Sequence, residues 1–132
     1  MSEATNEAVI ERFYHELWNR WNLTVADEIV SEDVRFRGST LEGRESFKGY
    51  VETVRAAFPD WHNRIDEMIS CEDRVVTRMT WSGTHRGGLQ DVEPTGELVE
   101  YVGAAIFRLE GGRIEEGWVV GDTQKNPQCG SG

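Results

Sequence analysis

Val99-Glu100-Tyr101-Val102-Gly103-Ala104-Ala105-Ile106-Phe107-Arg108-Leu109-Glu110-Gly111-Gly112-Arg113-Ile114-Glu115-Glu116-Gly117-Trp118-Val119-Val120 is the stretch whose reading decides the fold. Two alternating segments, Val99–Leu109 and Arg113–Val120, flank Gly111-Gly112, a two-residue hairpin signal. With that turn, Glu110 faces Arg113 and Leu109 faces Ile114. A regular ladder then sets Phe107 against Glu116, Ala105 against Trp118, Gly103 against Val120 and Tyr101 against Asp122. Opposed residues share a face of the sheet. The expected core side therefore holds Tyr101, Phe107, Leu109, Ile114, Trp118 and Val120, together with the carboxylates of Glu116 and Asp122. A bulge near Gly117 would turn Glu116 outward. The other face carries an Arg108–Glu115 pair and an apolar stripe of Val102, Ala104, Ile106 and Val119, which predicts a homodimer through the outer sheet face.

Upstream, Val75–His85 alternates as regularly and points Val75, Thr77, Met79, Trp81, Gly83 and His85 inward. Its partner, Arg64–Ser70, leaves two registers open. One buries Arg64 and Asp66; the other buries Ile65 and Ile69. Between the inner strands, Arg86–Gly96 reads as a long loop of the kind that contacts ligands. The first half of the chain is helical. Val9, Ile10, Phe13, Tyr14, Leu17 and Trp18 have helical spacing over Glu3–Trp18. A short second helix runs from Thr24 to about Val30, Val34–Arg37 is a strand, and a third helix spans about Arg44–Phe58, stopped by Pro59. Helices first and strands after them make an α+β domain over residues 1–125, with a fraying tail over 126–132.

The 132 residues carry 24 acidic and 14 basic side chains, a formal charge of −10. That balance repels phosphate backbones and anionic lipid, so neither nucleic acid nor a membrane is an expected partner. No apolar run reaches the roughly 18–20 residues of a spanning helix, and Met1–Asn6 lacks a basic, apolar leader, which predicts a cytoplasmic protein. Cys71 and Cys129 are too few and too far apart for a disulfide framework. His15, His62 and His85 lack metal-ligand spacing, and HExxH, CxxC, GxSxG and phosphate-loop patterns are absent, so no metal or organic cofactor is expected.

The chemistry that remains is acid–base. Asp122 follows the last strand on the parity of Trp118 and near Tyr101, and a carboxyl pressed against aromatic rings has its charged form disfavoured. Such a group suits proton transfer near neutral pH. His85, at the end of an inward-facing row, is the second candidate. Tyr14, Trp18, Phe36, Phe58, Trp61, Met79, Trp81, Tyr101 and Trp118 are the candidates to line an apolar ligand pocket.

Phe13-Tyr14, Leu17-Trp18-Asn19, Gly43-Arg44-Glu45, Phe58-Pro59-Asp60, Asp73-Arg74-Val75, Gly83-Thr84-His85-Arg86-Gly87, Pro94-Thr95-Gly96 and Gly112-Arg113-Ile114-Glu115-Glu116-Gly117-Trp118 occur in an order that resembles the SnoaL-like polyketide cyclases, over about residues 6–124. The resemblance implies a nuclear transport factor 2-like fold, a strongly curved, mostly antiparallel sheet closed by about three helices into a cone-shaped cavity. It also implies an intramolecular aldol ring closure without metal or organic cofactor, on an apolar carbonyl compound. The family's acid–base Asp falls on Asp122, and His85 becomes a pocket or substrate-orienting residue. The alternatives are a non-catalytic small-molecule-binding module of the same fold and, behind it, an epoxide hydrolase, which would need an inward Arg between two Asp.

Overall fold

A computed structural model describes residues 2–37, 41–86 and 96–123, the side chains of Asp122 and Thr123 excepted. The loop expected over Arg86–Gly96 therefore lies largely outside the described residues, and the tail over 126–132 lies wholly outside them.

Helix α1 (Glu3–Arg12) starts where Ser2 caps it, its hydroxyl accepting from the Thr5 amide at 3.0 Å. The chain does not continue as a plain α-helix to Trp18. Over Phe13–Trp18 it widens into a π-helical segment, closed by the Asn19 amide donating to the Tyr14 carbonyl at 2.9 Å. All six apolar residues expected on this helix are buried. Leu23–Val25 is a 3-10 turn leading into the short helix α2 (Ala26–Ile29), where one continuous helix was expected. Thr24 does not cap it; the hydroxyl donates to the Asn22 side chain at 2.6 Å. Strand β1 (Val30–Arg37) begins four residues before the sequence pattern indicated. Helix α3 (Arg44–Ala57) turns Phe47, Val51, Val54 and Ala57 into the core and ends at Phe58, ahead of Pro59.

Four further strands, β2 (His62–Cys71), β3 (Arg74–Thr84), β4 (Leu98–Glu110) and β5 (Arg113–Thr123), complete a sheet in the order β1-β5-β4-β3-β2. Only the β1–β5 pairing is parallel. The α+β class is as the residue pattern predicts, and the curled, mostly antiparallel sheet is as the family resemblance implies.

The central pair β3–β4 is unbroken from Arg74↔Arg108 to Thr84↔Leu98. Val75, Thr77, Met79, Trp81 and Gly83 are buried, as the alternation requires. The outer pairs behave differently. On β5 the ladder holds at Glu110↔Arg113 and Leu109↔Ile114, then skips Glu115 and resumes at Arg108↔Glu116. One extra residue in one strand is a bulge, and the side chains after it, from Glu116 to Val120, change face. Gly117, Val119 and Gly121 now share a face with Phe107, Ala105 and Gly103. Glu116, Trp118 and Val120 share a face with Arg108, Ile106 and Ala104.

This corrects the expectations for Trp118, Val119 and Val120 and resolves the one left open for Glu116. Trp118 lies on the outer face, with the Arg74 guanidinium 5.8 Å from its ring centre. Val119 leaves the outer stripe, where Val120 takes its place beside Val102, Ala104 and Ile106. Glu116 points outward and bonds Arg108 at 3.1 Å and Arg37 at 2.6 Å, which hold its carboxyl below the usual range.

The open register of β2 resolves by the same device. The turn at Glu72-Asp73 has two residues, which alone would bury Arg64 and Asp66. A bulge at Asp66 reverses the phase, so Ile65 faces in opposite Met79 while Arg64 faces out opposite Thr80. Ile69, on the turn side of the bulge, points outward and is 57% exposed.

At the bend the strands approach closely. A Cβ on Gly103 would lie 2.0 Å from the Val120 carbonyl oxygen and 2.7 Å from the Trp81 ring, a space only glycine fits.

Candidate active site

The curl of the sheet, the π-helical segment and α3 line an open-mouthed chamber of about 570 Å³. Its buried wall comes from the π-helical segment (Phe13, Tyr14, Trp18), from Phe47 and Val54 of α3, and from Asn63 and Trp81 of β2 and β3. Trp61, Phe36 and Tyr101 are partly buried, while Tyr50, Arg37, Val119 and Gly121 are exposed and mark the mouth. The rings brace one another. Phe47 stacks between Phe13 and Phe36, with centroids 5.5 and 5.0 Å away, and Trp61 meets Tyr101 at 6.1 Å.

Of the nine residues read from the sequence as pocket candidates, Tyr14, Trp18, Phe36, Trp61, Trp81 and Tyr101 are brought together on this wall. Phe58 and Met79 are buried but lie behind it, and Trp118 is on the far side of the sheet. His85 is also behind the wall. Its ring stacks on Phe58 at 5.2 Å, is 8% exposed, and its Nε2 has no hydrogen-bond partner among the described residues.

The backbone of Asp122 pairs with Val102, one residue past Gly121 at the mouth. The parity argument that aligned it with an inward Trp118 falls with the bulge, and its side chain lies outside the described residues.

The polar groups described on the wall are neutral apart from Arg37, whose guanidinium is engaged by Glu116. No Asp or Glu lines the chamber among the described residues. Burial pushes the Tyr14 phenol far above the ordinary tyrosine range, only partly offset by the Thr77 side chain, so the phenol stays a proton-bearing donor at any working pH. The Thr77 hydroxyl itself lacks a hydrogen bond of good geometry. Burial raises Tyr50 as well. Among the described residues no three His, Cys, Asp or Glu converge as a metal site. No described helix is long and apolar enough to cross a membrane.

Sequence reasoning did not count Phe13 and Phe47 among the pocket candidates. It missed Asn63 and Val119 because their facing depends on the two bulges. For Asn63 the usable signal was a polar residue adjoining Trp61-His62, where a core strand needs apolar ones.

The model of the SnoaL-like polyketide cyclase family matches residues 8–126. A search of curated proteins gives no significant match. Among solved structures, AclR from Streptomyces galilaeus, a candidate hydroxylase, superposes with a TM-score of 0.80 at 27% identity, covering 93% of this chain and 82% of its own. IdmH from Streptomyces antibioticus, a candidate polyketide cyclase, gives 0.77 at 26% identity over 89% and 91%. TsrD from Streptomyces laurentii gives 0.84 at 20% identity over 92% and 91%, a likeness of fold. With a family model spanning most of its length, this chain belongs to the SnoaL-like polyketide cyclases.

Proposed function

We propose that the protein is a cofactor-independent acid–base enzyme of the polyketide cyclase type, closing a ring on an apolar, carbonyl-containing small molecule. One observation carries this reading: an aromatic chamber of about 570 Å³ whose described polar groups are mostly neutral hydrogen-bonding ones. Such a wall suits a flat, uncharged ligand and excludes water from it.

In the ring closure a base removes a proton from the carbon next to a carbonyl. The resulting enolate carbon attacks a second carbonyl of the same molecule, and the new alkoxide recovers the proton. One carbon–carbon bond forms, with no net oxidation. Asp122 is the base in this proposal. Its support is its place, directly after Gly121 at the chamber mouth, together with the acid–base Asp that the sequence resemblance implies at this position. The phenols of Tyr101 and Tyr14 supply donors for developing negative charge on oxygen. His85, behind the wall, has no contact role in this scheme.

The test is exchange of the α-protons of 2-tetralone, a fused bicyclic ketone, in D2O. The wild-type protein accelerates exchange, and Asp122→Asn, with its fold intact by circular dichroism, loses on the order of 100-fold or more. An unchanged rate in the variant removes Asp122 from the mechanism. The absence of carboxylates from the described wall favours a second reading, a non-catalytic binding module. Binding of 2-tetralone without acceleration by the wild type would select it.

A further inference from the structure

An apolar chamber needs little from its wall except shape, so a buried amide placed in it calls for a reason. Asn63 is 2% exposed, lies on the inner face of β2 opposite Trp81, and borders the chamber. It is held by one neighbour, Asn19, through three hydrogen bonds. The Asn19 Oδ1 accepts from the Asn63 backbone amide at 2.8 Å and from the Asn63 Nδ2 at 3.0 Å. The Asn19 Nδ2 donates to the Asn63 carbonyl at 2.9 Å.

These bonds settle which way both amides face. A backbone N–H only donates and a backbone carbonyl only accepts, so the Asn19 oxygen and nitrogen have one consistent arrangement. The Asn63 side chain must then turn its nitrogen to Asn19, which leaves its oxygen aimed elsewhere. No hydrogen bond reaches that oxygen from the described residues, and the residue that carries it lines the chamber.

Asn19 has its own support. It closes the π-helical segment through the hydrogen bond its backbone N–H donates to the Tyr14 carbonyl, the same winding that packs Phe13, Tyr14, Leu17 and Trp18 into the interior. π-Helical turns are rare and concentrate at functional sites.

We propose that the Asn63 side-chain oxygen is a substrate-binding acceptor that selects a ligand bearing a hydroxyl group, phenolic or enolic, with Asn19 as the residue that positions it. The inference rests on the chamber reading above and narrows its substrate class to hydroxylated, flat apolar carbonyl compounds. A site built to receive a hydroxyl rejects the analogue that lacks it, because the buried acceptor is left unpaired.

The probes are 2-naphthol and 2-methylnaphthalene, which differ only by hydroxyl against methyl. Binding is read by quenching of the chamber tryptophans, Trp18, Trp61 and Trp81. The wild type binds 2-naphthol about tenfold more tightly, the ratio one hydrogen bond to a desolvated acceptor supplies. Asn63→Leu abolishes that preference while still binding 2-methylnaphthalene. Asn19→Ala, which leaves the Asn63 oxygen in place but unheld, reduces the preference without touching the acceptor.

Equal affinity of the wild type for the two probes overturns the proposal with no variant needed. So does a preference that survives in folded Asn63→Leu. Failure of both probes to bind the wild type refutes the chamber reading and this proposal with it. Loss of proton exchange in Asp122→Asn is a separate result and leaves the naphthol preference unchanged.

Discussion

The central pair β3–β4 and the strands that flank it, β2 and β5, obey the same alternation rule with opposite outcomes. In the central pair the rule runs eleven residues without interruption, and the buried row Val75, Thr77, Met79, Trp81 is the one alternation predicts. In β2 and β5 a single unpaired residue, Asp66 or Glu115, divides each strand into two segments of opposite phase. A flat, regular sheet of these sequences would bury Trp118 and expose Val119. The bulged one curls and exchanges their faces, turning Val119 to the chamber side and Trp118 to the outer side of the sheet, and the curl is what leaves room for a chamber. Bulges here are the functional feature, and the regular pair is the frame against which they act.

The largest effect expected from breaking this contrast is deletion of Glu115. It restores a continuous β4–β5 ladder and forces Trp118 against the chamber side and Val119 outward. The cooperative urea transition should be lost, whereas a chain that unfolds normally would show that the bulge is incidental. Next comes Gly103→Ala. Its Cβ would collide with the Val120 carbonyl, which belongs to backbone and cannot swing away, so a loss of about 3 kcal/mol in urea unfolding is expected.

Smallest is Asp66→Asn at the β2 bulge. The Asp66 carboxyl is held below the ordinary range, first by the Thr80 hydroxyl at 2.6 Å and then by Arg64 at 2.7 Å. A folded-state pKa below the unfolded one contributes stability above the unfolded value and loses it as pH falls through the folded value. The variant should therefore be less stable by under about 1 kcal/mol at pH 7, and the gap should close in acid. Urea midpoints at the two pH values check it.

The legible part of the sequence was the part governed by local periodicity. Helix α3, the apolar face of the first helix and the paired glycines of the last turn were each readable, because spacing and turn chemistry act within a few residues. Six of the nine pocket candidates reach the chamber wall, since large rings on inward faces have few other places to go.

What was hidden depends on partners distant in the chain. Nothing in Glu115-Glu116-Gly117 states which residue drops out of the ladder, and the choice decides the facing of Trp118, Val119 and Glu116 together. The π-helical winding over Phe13–Trp18 keeps the apolar spacing of an α-helix closely enough to pass for one. The Asn19–Asn63 clamp joins residues 44 positions apart, and nothing local to either names the other as its partner.

The most direct test of the inverted phase of β5 uses thiols on adjacent residues. In a background of Cys71→Ser and Cys129→Ser, Val119→Cys and Val120→Cys are reacted with a thiol reagent, with and without saturating 2-methylnaphthalene. The account predicts that the ligand slows modification at position 119 severalfold and leaves position 120 unchanged. Protection at 120 and none at 119 would contradict it.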